Sequence, residues 1–490
     1  MKTKIIDRGD FAYLRIARVM ERQILHGSLR VGEKLPSLRT VCQEYGVSQN
    51  TALSVYSFLE NKMLIETRPR SGYFVRYSPS RMPGAPAVSR PSVSRSTVSR
   101  ASGVAAYGDH EAMVERVYSG LGEGGCLSMG LGTPANALLP IARLNKSLIQ
   151  ATRQLHGSGV AYDKVEGNER LRRQIARWSF SMECNFNADE IITTSGCLNA
   201  LSYCMMAVVG KGDTVAMESP VSFGMLQLAQ ALGVKVLELP TDPLTGVDMT
   251  AYEEVLRRRR VAAVLLISNF SNPTGSCMPD DHKKQAVELA EKYEVPLIEN
   301  DLNGDVYFGR QRPKSCKTFD RSGIVLWCGS VSKTLAPGYR VGWTAPGKFK
   351  ERVLRNKLYH SISGAAVTQE AIANMLETGR YESHLRKLRQ VLHGNLLKYT
   401  AAVSDFFPVG TLVSRPRGGF VLWVELPGGI DTFELFDEAM GRRISFAPGR
   451  IFTLQEQYKN CLRLNYGLVW NDTIEFGLKV LGKLARERRS

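Results

Sequence analysis

The sequence predicts an α/β protein in two parts. A small helix-turn-helix domain with a β-hairpin wing is expected over residues 1–76, and a large α/β domain with a mostly parallel sheet over 125–490. Three observations carry this. Two short helical patterns flank Gly46 and lead into an alternating run that turns at Gly72. From Ser78 to about Ala106 the chain is Ser-, Pro- and Arg-rich, has no aromatic residue and shows no period, as expected of a flexible linker over 77–124. Beyond residue 125, strand-like apolar runs alternate with helical patterns.

The chain has 490 residues, too many for one ordinary domain. Its 43% hydrophobic and 23% charged residues are the balance of a globular chain. No window reaches the roughly 18 uninterrupted apolar residues of a membrane span, so no membrane partner is expected. The opening MKTKIIDRGD lacks the apolar stretch of a secretory leader. Nine cysteines without a C-x-x-C pair, and no histidine cluster, predict reduced thiols in a cytoplasmic protein without a metal site. Lys and Arg number 64 against 47 Asp and Glu, for a net +17. Residues 1–76 hold 13 basic against 7 acidic side chains, and residues 77–105 hold four arginines and no acid. Most of the excess therefore sits at the front, where a polyanion partner is expected.

In the front part, Tyr13, Ile16, Ala17, Met20 and Ile24 recur at helical spacing, in a helix predicted to end at Gly27. Ser37 caps a second helix with Leu38, Val41 and Cys42 on one face. Gly46 supplies the turn, and Ser48 caps a third helix with Ala52, Val55, Tyr56 and Leu59 inward. LIETRPRSGYFV reads as the wing, with Arg68 and Arg70 near Gly72 at its tip. The third helix would present Ser48, Gln49, Asn50 and Thr51 to a groove, while Arg39, Arg68 and Arg70 reach phosphates or the minor groove. Double-stranded DNA is the expected partner. The four linker arginines, Arg81, Arg90, Arg95 and Arg100, keep that stretch solvated.

In the back part, IITTSG, TVAMESP, VKVLELP, VAAVLLISN, VPLIEND and IVLWCGS read as strands. Nearly all end in polar or glycine-rich stretches, where such sheets bind ligands. GSVSKTLAPGYRVGW (329–343) sets Lys333 at a strand end beside Ser330, Ser332 and Arg340. An amine flanked by hydroxyls and one Arg suits a Schiff base to an aldehyde that also carries a phosphate. Asn272, in NFSNPTG, can hydrogen-bond a phenolic oxygen. Ser195, Gly196 and Cys197 open a helix, a phosphate site favoured by the dipole. Phe223 can stack on a flat ring. Arg463 lies among apolar neighbours in NCLRLNYG, and a buried Arg needs an anion such as a carboxylate. Tyr162 and Gly167 precede a basic helix.

On GEKLPSLRTV, GVSQNTA and SGYFV, residues 11–76 resemble the winged helix-turn-helix of GntR-type bacterial transcription regulators. The position before Asn50 is often basic in that group and is Gln49 here. Residues 125–485 resemble the pyridoxal 5′-phosphate enzymes of the aspartate aminotransferase fold (fold type I, class I/II), a PLP-dependent transferase-like domain. The resemblance implies that Lys333 forms the internal aldimine and that Ser330 and Arg340 hold the cofactor phosphate. By it, Asn272 contacts the ring oxygen, Phe223 stacks on the ring, Arg463 clamps a substrate carboxylate, and Tyr162 reaches a neighbouring subunit's phosphate in a homodimer.

Four positions depart from that pattern. In VPLIENDLNGDVYF, Asn300 stands where the family has the Asp that keeps the pyridine nitrogen protonated, and Asn303 where it has a ring-oxygen Tyr. Asp301 is adjacent, but strand alternation turns it to the other face. Cys197 replaces a Ser or Thr, and Leu198 a Gln. Nearly the whole chain resembles the MocR subfamily of GntR regulators. This implies a transcription regulator whose back domain binds pyridoxal phosphate, or an amino or aldehyde effector, without efficient turnover. The alternatives are a working aminotransferase with a DNA-binding domain and a regulator that no longer binds the cofactor.

Overall fold

The computed structural model describes residues 12–25, 29, 31–62, 64–68, 71–76, 84–86, 105–119 and 125–488. Gly27, Arg70 and the linker arginines lie outside the described residues. The chain divides into two compact units: one runs to Pro83 and includes Leu396–Phe406, and the other comprises Gly84–Asn395 and Phe407–Ser490.

The first unit holds helices α1 (Ala12–Leu25), α2 (Leu38–Tyr45) and α3 (Gln49–Asn61) and strands β1 (Ile65–Arg68) and β2 (Gly72–Val75). Ser37 Oγ accepts the Thr40 N–H at 3.1 Å and Ser48 Oγ that of Thr51 at 3.2 Å, so both predicted serine caps are in place. Gly46 ends α2 in the left-handed conformation (φ +62°), which its missing Cβ makes inexpensive. The core is Ile16, Ala17, Met20 and Ile24 from α1, Val41 from α2, and Ala52, Val55, Tyr56 and Leu59 from α3, closed by Leu64, Ile65 and Val75. Tyr56 is buried, stacks on Tyr73 at 4.4 Å and donates its hydroxyl to the Pro36 carbonyl at 2.5 Å. β1 and β2 pair antiparallel from Ile65–Val75 to Arg68–Gly72, and Lys34 bridges Phe74 as a third, minimal strand.

The second unit starts with an unexpected element. Within the stretch expected to be linker, Ala105–Ser119 forms helix α4. The linker expectation is corrected there, because His110, Val114 and Val117 form a buried stripe at helical spacing. Strand β3 (Leu127–Ser128) and helices α5 (Ile141–Gln154) and α6 (Glu169–Trp178) follow. The central sheet is then laid down as β4 (Ile192–Thr194), α7 (Cys197–Val208), β5 (Thr214–Ser219), α8 (Phe223–Ala231), β6 (Lys235–Asp242) and β7 (Gly246–Val247). It continues through α9 (Met249–Arg257), β8 (Ala263–Leu266), α10 (Asp280–Tyr293), β9 (Leu297–Asn300), β10 (Val325–Ser330) and β11 (Gly342–Ala345).

Its spatial order is β4-β11-β10-β9-β8-β5-β6-β7. The run from β10 to β6 is parallel, β11 is antiparallel to both of its neighbours, and β7 is a short antiparallel edge. Helices cover both faces, so β8, β9 and β10 are buried throughout; β8 and most of β10 read as apolar runs without alternation, while β9 ends in the buried polar pair Glu299 and Asn300.

Helices α11 (Lys350–Ser361), α12 (Ala366–Glu377) and α13 (Arg380–Phe406) lead to a smaller lobe. It contains β12 (Leu412–Val413), β13 (Val421–Glu425), α14 (Thr432–Gly441), β14 (Ile444–Ser445), β15 (Ala447–Pro448), β16 (Cys461–Asn465) and α15 (Asp472–Glu487). β12, β13, β16 and β15 form an antiparallel sheet, and β3 pairs with β14. β16 thereby brings Arg463 in from the C-terminal lobe, while the other candidate groups come from the ends of the central strands.

Candidate functional site

The pocket is assembled at the C-terminal ends of β4, β5, β8, β9 and β10, where strand ends leave polar backbone and side chains without sheet partners. Lys333 follows β10. Its Nζ donates to the Gly132 carbonyl, and Gly132 itself lies against Asn272 and Arg463. Desolvation, with repulsion from Arg463 and Arg340, lowers the Lys333 amine to about 7. A large share of this amine is therefore neutral near pH 7 and nucleophilic.

Ser330 and Ser332 share a hydroxyl contact of 2.8 Å, and Ser330 Oγ also donates to the Val341 carbonyl. The Arg340 guanidinium reaches Ser332 Oγ at 3.4 Å and the Ser195 carbonyl at 3.2 Å. Gly196 (φ +94°) lets this happen, since a Cβ there would sit 2.3 Å from an Arg340 nitrogen. Arg340 itself holds φ +52°, a strained state for a non-glycine residue. α7 starts at Cys197, so its first-turn N–H groups add donors beside Arg340. An amine of lowered basicity next to an Arg, two serines and a helix start fits an aldehyde carrying a phosphate, the donor set for pyridoxal phosphate.

Arg463 is 2% exposed. It donates to Asn272 Oδ1 at 2.7 Å and to the Gly130 carbonyl, its guanidinium stands 4.9 Å from the Phe452 ring, and its Nε has no hydrogen-bond partner. Among the described residues no carboxylate pairs with it, and burial lowers it to about 10. A desolvated cation held only by neutral acceptors is prepared for an incoming anion. Asn272 Nδ2 reaches Ser222 Oγ at 3.4 Å, so this side chain links Arg463 to the start of α8. Phe223, the first residue of α8, meets Tyr118 of α4 edge-on at 5.3 Å.

Asn300 Oδ1 accepts from Cys197 Sγ at 3.4 Å and from the Leu302 N–H at 3.3 Å. The Leu302 amide can only donate, which fixes the oxygen on that side. Nδ2, whose hydrogen-bond partner among the described residues is the weak acceptor Met225 Sδ at 3.9 Å, is the donor end. Burial raises the Cys197 thiol, so it stays protonated.

Two sequence candidates take other roles. Asp301 accepts from Arg312 at 2.6 Å, Trp327 Nε1 at 3.0 Å and Asn269 at 3.0 Å. Both its oxygens are engaged, so it cannot stand in for an acid at Asn300 and leaves the pocket set. Asn303 donates to the Phe270 carbonyl at 2.9 Å, bracing the turn that carries Asn272. Tyr162 is 81% exposed, and among the described residues no hydrogen bond joins it to the pocket.

In the first unit, Gln49 and Asn50 are exposed at the start of α3, without hydrogen-bond partners for their side chains among the described residues. The Ser48 and Thr51 hydroxyls bond each other at 2.9 Å as part of the cap, which ties them to the helix start. Arg39 is exposed on α2. Arg68 is exposed but paired with Glu66 at 2.8 Å and laid over Phe74 at 4.3 Å. Gly72 forms the wing turn at φ +100°.

Sequence reasoning missed Gly130, Gly132, Tyr118, Ser222, Phe452 and Arg312. The glycine-rich MGLGTPAN was the visible signal for the first two. The others lacked a local pattern.

Comparisons with known proteins agree with both units. Residues 12–75 match the model of bacterial regulatory proteins of the gntR family, and residues 127–477 that of aminotransferase class I and II. The chain is 36% identical over 477 residues to the uncharacterized HTH-type transcriptional regulator YjiR of Escherichia coli, covering 96% of this chain and 98% of that protein. It is 24% identical over 447 residues to the regulator NorG of Staphylococcus aureus, covering 91% of this chain and 98% of NorG. Among solved structures, the α-aminoadipate aminotransferase LysN of Thermus thermophilus, complexed with N-(5′-phosphopyridoxyl)-L-leucine, superposes with a TM-score of 0.71 at 26% identity. That match covers 79% of this chain and 97% of LysN. The multiple substrate aminotransferase of Thermococcus profundus gives 0.72 at 25% identity, over 77% of this chain and 95% of that one.

Proposed function

The chain belongs to the GntR-type regulators that carry an aminotransferase class I and II domain, the MocR arrangement. From that premise we propose that it is a DNA-binding transcription regulator whose large domain binds pyridoxal phosphate on Lys333 and senses an amino compound without turning it over. The helix-turn-helix and its wing read DNA, with Gln49 and Asn50 free for base edges and Arg39 for phosphates, while Arg68 on the wing would exchange Glu66 for a phosphate. The large domain is the ligand-binding and homodimerisation part, and the exposed Tyr162 is available to a second copy.

Asn300 is the observation that carries this reading. When bound, pyridoxal phosphate supplies an aldehyde that can exchange one amine for another. Lys333 offers the amine, Arg340 with Ser330, Ser332, Ser195 and α7 holds the phosphate, Asn272 faces the ring oxygen, and Arg463 takes a carboxylate. Efficient transamination also needs a carboxylate to keep the ring nitrogen protonated. Asn300 is neutral, its Nδ2 end is a donor, and Asp301 is committed to Arg312 and Trp327. The pocket therefore suits a ring nitrogen that accepts a hydrogen bond, which stabilises a carbanion poorly. Ligand preference for one dimer arrangement would then set the spacing of the two DNA-reading units, since equal affinity for both arrangements would shift nothing.

The test is the visible spectrum of purified protein titrated with pyridoxal phosphate. A band abolished by borohydride is expected, together with no half-transamination across a panel of amino acids and a gain of slow half-transamination in Asn300→Asp. A colourless protein that ignores the cofactor would overturn the ligand. Wild-type half-transamination at a rate matching the variant would instead favour a working aminotransferase, the reading to which the retained Lys333, Arg340 and Arg463 lend support.

A further inference from the structure

We propose that Tyr118 of helix α4 contacts the ligand, and that α4 tightens when the ligand binds. This rests on the pocket being a ligand site, as argued above. α4 buries His110, Val114 and Val117 along one stripe, and Tyr118 continues that stripe at its edge, 44% exposed. At one end His110 Nε2 bonds the Ile451 carbonyl at 2.9 Å. Ile451 belongs to the short turn Gly449–Phe452, whose last residue lies against the Arg463 guanidinium at 4.9 Å. At the other end the Tyr118 ring meets Phe223 edge-on at 5.3 Å, and Phe223 lies 6.1 Å from Phe452. One helix thus touches both the turn that carries Phe452 and Phe223, the ring beside Phe452, and Phe452 is the ring laid against the desolvated cation.

The Tyr118 hydroxyl has no hydrogen-bond partner among the described residues; burial raises its pKa, and the Arg463 charge acts against that rise. It is a free polar group next to the place where a carboxylate would arrive. An amino acid drawn to Arg463 would press on Phe223 and Tyr118 and meet that hydroxyl. The expected ligand is an amino acid with an apolar or aromatic side chain.

The experiment uses the full-length protein saturated with pyridoxal phosphate, with L-phenylalanine or L-alanine added. Hydrogen exchange is followed on peptides spanning residues 105–119, and affinity by the change in the visible band. L-Phenylalanine should slow exchange in α4 several-fold. Tyr118→Ala should abolish that protection and weaken L-phenylalanine by about fivefold, the size of one aromatic contact, with a smaller effect on L-alanine. Tyr118→Phe should keep most of the affinity, and Glu111→Gln, exposed on the same helix, should change neither readout. Arg463-dependent binding that leaves α4 exchange unchanged would overturn this proposal alone. No binding by either amino acid or by the cofactor would overturn the ligand reading and the proposal with it.

Discussion

The two units use positive charge in opposite ways. In the first, an apolar core of Val55, Tyr56 and Leu59 supports an outside on which Arg39, Gln49, Asn50 and Arg68 stand in water. In the second, Arg463 is buried and Lys333 desolvated, each held by neutral carbonyls and amides in place of a carboxylate. Exposed charges suit a long polyanion: they adapt to its phosphates, release its counterions and are screened by salt. Desolvated charges suit a single small anion, because their field is barely screened and their position is fixed in advance. The same residue types thus read two classes of partner, and burial decides which.

The comparison can be broken most sharply at Lys333. Lys333→Ala should remove the visible band and borohydride trapping outright while leaving DNA affinity without ligand in place. In the wild type, capture should rise as pH increases through about 7, because the neutral amine is the nucleophile and that is where burial and the two arginines place its titration. A capture curve rising only towards the ordinary lysine range would contradict the desolvated setting.

Leu59→Ala tests whether the apolar core alone supports the DNA-reading surface. It should cost about 2–5 kcal/mol in the first unit and abolish DNA binding, with cofactor absorbance unchanged. Loss of both functions would show that the units do not fold independently.

Arg463→Leu sharpens the contrast on the ligand side. A charged hydrogen-bonding partner contributes about 1.5–3 kcal/mol, so amino-acid affinity should fall by roughly ten- to a hundredfold. Stability should hold or rise, because no carboxylate among the described residues pairs with this buried cation. Salt should change the wild-type amino-acid affinity little.

The smallest effect is expected at Arg39. Arg39→Ala should weaken DNA modestly at all sequences and lower the slope of log affinity against log salt by about one. An unchanged slope would remove Arg39 from the phosphate contacts.

Much of this was legible because it depends on neighbours in sequence. Ser37 and Ser48 cap helices whose first turns follow them at once, and Gly46 turns the chain locally, so all three could be placed from residue type. The strands of the central sheet were legible because burial on both faces leaves continuous apolar runs. Helix α4 was not legible. Its stripe of His110, Val114 and Val117 is short and follows a long Ser- and Arg-rich run, and the turn that receives His110 lies 341 residues away. The role of Asp301 was hidden for the same reason, since Arg312 and Trp327 meet it only once the sheet has formed.

By itself the sequence determined the two-part architecture, the helix-turn-helix with its wing, and the residue types collected at the strand ends. Periodicity, caps and turns act over a few residues and need no folded partner. Only the tertiary structure decided that Arg463 meets no carboxylate among the described residues, that the Nδ2 end of Asn300 is the donor, and that α4 sets Tyr118 against Phe223. Those facts depend on which groups from distant segments share a desolvated space. There an unpaired charge or a blocked oxygen is costly, and the chemistry follows from what the fold leaves unsatisfied.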